Sequence, residues 1–104
     1  MTAQVRAGTL TELSAMGHLL VDGDRGEICI VSDGEQLFAI DNNCSHMGSQ
    51  IHRGNISEGN IICPWHRARF ELATGKSLDL YAKDVATYEV TVEGDIVLVN
   101  PTPR

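Results

Sequence analysis

Cys44-Ser45-His46, a spacer of 16 residues, then Cys63-Pro64-Trp65-His66: the reading of this stretch decides the rest of the chain. Each short motif offers one thiolate and one imidazole, soft donors of the kind that bind zinc, copper or iron–sulfur clusters. Zinc fingers of the two-Cys, two-His type keep both cysteines in one pair and both histidines in the other. Here each pair is mixed. Mixed pairs on two loops suit a two-iron cluster, with both thiolates on one iron and both imidazoles on the other. The plainer alternatives are a closed site for one zinc ion, or a buried thiol, a surface imidazole and a turn that are merely neighbours. A lone mixed pair would leave the last alternative standing. Two of them, each beside turn-forming residues, argue against it.

Bulk properties set limits around that stretch. A chain of 104 residues forms one domain and buries roughly two-thirds of its unfolded surface without staples. The net charge of −6 and pI of about 5.0 argue against nucleic acid as a partner. Charge is unevenly placed: residues 44–70 hold Arg53, Arg67 and Arg69 against Glu58, a local balance of +2. Two of the three cysteines stand in the mixed pairs, and Cys29 lies in the apolar run Ile28-Cys29-Ile30-Val31, the setting of an inert buried thiol. Without a spare pair for a disulfide, the chain fits a reducing compartment. No apolar run reaches the 18 or so residues that span a membrane, and the expectation is a cytoplasmic protein with no membrane contact.

In chain order, residues 4–10 predict a first strand followed by a turn at Thr11-Glu12, and residues 18–21 a second strand ended by Asp22-Gly23-Asp24. Residues 27–32 predict a buried strand, joined through Asp33-Gly34 to a partner over 36–40. Asp41-Asn42-Asn43 stops that partner and opens the first ligand loop. Residues 59–62 deliver Cys63 to the second loop, and 69–72 and 76–78 flank a turn at Ala73-Thr74-Gly75. Residues 87–91 pair with 96–99 across Glu93-Gly94-Asp95, and the tail from Pro101 is loose. Short strands at this spacing predict an all-β antiparallel sandwich. His18, placed in a short strand, reads as a surface or packing residue. His52 is surplus to four-ligand closure, with Ile51 anchoring the loop and His52 left on its surface.

Cys44-Ser45-His46-Met47-Gly48 and Cys63-Pro64-Trp65-His66 resemble the Rieske signature, Cys-x-His-x-Gly followed by Cys-Pro-x-His. The likeness continues through Phe70, Thr74-Gly75-Lys76 and Val92-Glu93-Gly94-Asp95, nearly the whole chain. It is similar to the small Rieske-type ferredoxins of bacterial ring-hydroxylating oxygenase systems that degrade aromatic hydrocarbons. The resemblance implies one Rieske domain over 1–104, a β-sandwich with a small cluster-binding subdomain, and ligand loops at about 43–53 and 62–70. It implies one 2Fe-2S cluster held by Cys44, His46, Cys63 and His66. It further implies an electron carrier rather than an enzyme, loaded by an NAD(P)H-dependent flavoprotein ferredoxin reductase and discharged into a terminal Rieske oxygenase. A small subunit of a larger reductase, such as a nitrite reductase, is the nearest alternative, and a structural zinc module a more distant one.

Departures from the family pattern carry expectations of their own. Ser49 and Trp65 stand where the high-potential respiratory branch has two further cysteines. Ala68 and Phe70 stand where that branch has hydroxyl donors to the cluster sulfurs, so the expected potential is at the low end of the Rieske range of roughly −150 to +300 mV. Arg67 replaces the usual glycine after the second histidine. A left-handed backbone there would cost a side chain about 1–2 kcal/mol. The segment Leu80-Tyr81-Ala82 lacks the prolines usual in a covering loop.

Overall fold

Alternation along two paired strands sets the architecture. The structure, a computed structural model, describes residues 4–34, 36–43, 50–64, 67–79 and 82–104. The chain runs β1 (Val5–Thr9), α1 (Leu10–Met16), β2 (Leu19–Gly23), β3 (Gly26–Asp33) and β4 (Gln36–Asp41). After a 3-10 turn at Ile51–Arg53 come β5 (Asn55–Ser57), β6 (Asn60–Ile62), β7 (Arg69–Glu71), β8 (Thr87–Tyr88), β9 (Val90–Glu93) and β10 (Ile96–Val99). Three antiparallel sheets result, ordered β2-β3-β4-β8, β1-β10-β9 and β5-β6-β7.

The first of these is the middle layer, because β3 and β4 are buried on both faces. Successive side chains of a strand point to opposite faces. Ile28 and Ile30 of β3, with Ala39 of β4, join Leu13, Leu19, Tyr88, Val97 and Val99 in one core. Their neighbours Cys29, Val31 and Ile40 join Ile51, Ile61, Cys63, Ala68, Phe70 and Leu72 in the other. The first core fills the sandwich formed with β1-β10-β9. The second seats the small β5-β6-β7 sheet on the opposite face.

Several sequence expectations change. The first strand ends at Thr9, and the expected turn at Thr11-Glu12 is the opening of α1. Thr9 accepts a hydrogen bond from the Glu12 N–H at 3.0 Å and gives its own N–H to Glu12 Oε1 at 3.0 Å, a capping box that starts a helix. Gly17 ends it at φ 83. His18 precedes β2 instead of lying in it. The strand expected over 87–91 is two: Thr87–Tyr88 pairs with β4, and only Val90–Glu93 pairs with β10. The break at Glu89 lets the chain pass from one sheet to the other. β5, with one apolar residue, is an addition. The tail is fastened, Arg104 donating its N–H to the Thr87 carbonyl at 2.9 Å. Leu80 and Tyr81 of the covering segment lie outside the described residues. Among the described residues no helix is long and apolar enough to cross a membrane.

Candidate metal centre

The first ligand loop is closed at its base before any metal is considered. Asn43 and Gln50 form an antiparallel bridge across residues 44–49. Behind it stands Asn42, fully buried. Its backbone N–H donates to the Glu27 carbonyl at 2.8 Å, and its carbonyl accepts from Ile51 N–H at 2.6 Å. The side chain repeats the pattern: Nδ2 donates to Glu27 Oε1 at 3.2 Å, while Oδ1 accepts the His52 N–H at 2.8 Å and lies 3.1 Å from His52 Nδ1. A carboxylate only accepts, so the amide orientation is fixed and Nδ1 of His52 carries the hydrogen. Next to Asn42, Asp41 accepts from the Tyr88 hydroxyl, from Ala86 N–H at 2.8 Å and from Arg25. Burial, with the Asp41 contact, pushes the Tyr88 hydroxyl pKa upward, so it remains a donor.

The second loop grows from the small sheet. Cys63 N–H donates to the Ala68 carbonyl at 2.7 Å, and Arg67, just before Ala68, adopts φ 57. This is the left-handed conformation that glycine takes without strain. Cys63, Ala68 and Phe70 are fully buried, in the same apolar core as Ile51 at the base of the first loop. Gly54 brings the two bases together: a Cβ there would stand 1.9 Å from the Ile62 carbonyl oxygen. Arg53, Cys63 and Arg67 contribute to one depression of about 400 Å³. Arg69 is held by Asp79 at 3.2 Å, and that pairing keeps the Asp79 carboxyl below the usual carboxylate range.

Of the four expected ligands, Cys63 is described, while Cys44, His46 and His66 lie outside the described residues, as do Ser45, Ser49 and Trp65. Among the described residues no group of three or more His, Cys, Asp or Glu could hold a metal ion. What the described residues do provide fits a two-loop cluster. The described ends of the two ligand segments, each fastened by backbone bonding, share one root, the apolar core that holds Ile51 and Cys63. Cys63 lies at that root, buried and free of a disulfide.

The remaining candidates sort differently. Cys29 is buried, and burial with Glu27 nearby pushes its thiol up to about 12, so it stays protonated and inert. Ile51 is the expected anchor, at 0% exposure. His52 is half-buried and bonded instead of merely lying on the loop surface, with its ring 4.5 Å from that of His18. Sequence reading missed Asn42 as a clasp and the His18–His52 contact, since neither has a local signal. Each needs partners from other strands.

Comparison with known proteins gives the same picture. The Rieske [2Fe-2S] domain model matches residues 1–97. Apoptosis-inducing factor 3 of Homo sapiens is 32% identical over 80 residues, which cover 76% of this chain and 13% of that protein. The chain thus spans a small part of that relative. The 3-phenylpropionate/cinnamic acid dioxygenase ferredoxin subunit of Shigella flexneri is 36% identical over 75 residues, 70% of this chain and 71% of that one. Among solved structures, the ferredoxin of carbazole 1,9a-dioxygenase from Nocardioides aromaticivorans IC177 superposes with a TM-score of 0.85 at 35% identity, covering 97% of this chain and 100% of that one. With the twin loop bases, the shared core and a family match over almost its whole length, this chain belongs to the Rieske [2Fe-2S] domain family.

Proposed function

We propose that this chain is a Rieske ferredoxin: it takes single electrons from an NAD(P)H-dependent flavoprotein ferredoxin reductase and passes them to a terminal Rieske oxygenase of a ring-hydroxylating system. Cys44 and Cys63 bind one iron, and His46 and His66 the other. The observation that carries this is the pair of fastened loops rooted at Ile51 and Cys63 in one core, in a chain matched end to end by a dioxygenase ferredoxin. When bound, a two-iron cluster with two neutral imidazole ligands supplies a one-electron couple, at a higher potential than an all-thiolate one. The chain's own residues set its surroundings. Ile51, Ala68 and Phe70 share the apolar core that holds Cys63, and Asn42 fastens the base of the first loop to Glu27 and His52. Flavin and substrate chemistry are the work of the reductase and the oxygenase, and the carrier works in the cytoplasm.

Metal and acid-labile sulfide analysis with electron-spin-resonance spectra tests this reading. Two irons and two sulfides per chain are expected, with loss of both in Cys44→Ser and Cys63→Ser because metal binding and loop folding are coupled. One zinc per chain and no chromophore would refute it.

A further inference from the structure

Arg53 and Arg67 come from different loops and meet at one depression, whose lining also includes Cys63 and Pro64 and, among the described residues, no carboxylate. Both arginines are exposed. Among the described residues neither has an ion pair, whereas Arg69 is engaged by Asp79. The whole chain carries −6, so this end reverses the sign of the body. Arg67 also keeps φ 57 at a cost of about 1–2 kcal/mol relative to glycine. Glu58, at φ 53, has a local reason, since it shares with Gly59 the two-residue turn of the β5–β6 hairpin, which demands such backbone. Strain kept at a functional loop points to a use outside the chain.

On the carrier reading above, we infer that Arg53 and Arg67 form a cationic docking rim for an electron-transfer protein that presents carboxylates around its own redox cofactor. Screening makes the local pair decisive. The Debye length at 0.1 M ionic strength is about 10 Å, while the molecule extends 39 × 29 × 18 Å. Acidic groups on the far body are therefore screened from a reactant at the rim, and the two guanidinium groups are not.

The test uses the reduced holo protein and two one-electron oxidants of opposite sign, ferricyanide and hexaammineruthenium(III), at about 0.1 M ionic strength. In Arg53→Glu/Arg67→Glu, oxidation by ferricyanide should slow and oxidation by hexaammineruthenium(III) should quicken. The ratio of the two rates should shift roughly tenfold or more, with the gap narrowing at high salt. Arg67→Gly, which removes the charge and relaxes the backbone, should shift the ratio the same way by less. Flavodoxin hydroquinone, an acidic flavoprotein used as a protein probe, should reduce the oxidised parent faster than the oxidised double variant. Arg6→Glu/Arg104→Glu makes the same change in net charge away from the depression and should leave the ratio near its parent value. The inference is overturned by an unchanged ratio in the rim variant with spectrum and potential intact, or by an equal shift in the control variant. It is also overturned if inorganic phosphate, but not chloride at equal ionic strength, abolishes the ferricyanide preference, since a small-anion site would then explain both arginines. A protein without chromophore overturns this inference together with the reading beneath it. A coloured protein indifferent to charge reversal overturns this one alone.

Discussion

Replacing Asn42 by alanine isolates the clasp of the first loop. The backbone bonds of Asn42 survive, but three side-chain contacts vanish: two to His52 and one to Glu27. A hydrogen bond is worth a net ~1 kcal/mol, and an orphaned buried donor costs ~1–3 kcal/mol. The His52 N–H becomes such a donor, so the expected loss is about 2–4 kcal/mol, localised at the loop base. Asn43→Ala is the matched control, since Asn43 is exposed and its bridge to Gln50 is made by backbone. Surface changes of that kind stay within ~0.5 kcal/mol. The assay is the bleaching of the cluster colour in an iron chelator without denaturant, which follows local opening of the loops. At 1.4 kcal/mol per factor of ten, Asn42→Ala should bleach about 30- to 700-fold faster than the parent. Equal bleaching rates for Asn42→Ala and Asn43→Ala would refute the clasp, even if Asn42→Ala lowered global stability.

Further expectations concern backbone, potential and acid. Arg67→Gly relieves about 1–2 kcal/mol of left-handed strain and gives back about 0.4–1 kcal/mol through a looser unfolded chain. A gain of about 0.5–1 kcal/mol and a few degrees in thermal midpoint should result, and an equal gain from Arg67→Ala would show that backbone strain is not the cause. Ala68→Ser combined with Phe70→Tyr puts hydroxyls at two fully buried positions beside Cys63, and protein-film voltammetry should find the potential raised; an unchanged or lower value with the cluster intact contradicts the donor argument. His52 is held below its ordinary pKa of 6.5, chiefly by burial, then by His18 and Arg53, with Glu27 opposing. The unfolded chain therefore takes up this proton first. Its contribution to stability is complete above about pH 6.5 and declines as pH falls below that value. His18→Gln removes one repulsion and should flatten the decline in denaturation midpoint on the acid side; an unaltered slope would remove His18 from the account.

Legibility in the sequence followed the range of the interaction. The β3–β4 pairing could be read because a continuous β-branched, apolar run and the Asp33-Gly34 turn are local signals, and Asp33 does pair with Gln36. The left-handed backbone at Arg67 was legible through the glycine usual at that position. The capping box of Thr9 and Glu12 was equally local, yet a strand read through Leu10 hid it, since seven helical residues bury only Leu13 and leave little apolar periodicity. The division of 87–91 between two sheets could not be read, because alternation assigns a residue to a face and not to a partner. Asn42 looked like a strand stop. Its buried role depends on Glu27 from β3 and on His52 from beyond the loop, neither of which is near it in sequence.

The shared strands β3 and β4 act as a party wall between two rooms. One room holds the sandwich core and the other the floor beneath the ligand loops, and alternate residues of the same strands serve each. The small sheet therefore has no interior of its own, and a peptide cut to residues 43–79 would expose Ile51, Ile61 and Phe70 to water. A graft that moves this redox site into another protein must carry the wall with it, from β2 through β8. The same wall limits damage from metal loss. Amides of β5, β6 and β7 lose their footing first and should exchange hydrogen quickly in the iron-free protein. Those of β1, β9 and β10, packed on the other side, should keep their protection, leaving a half-furnished scaffold ready to be refilled.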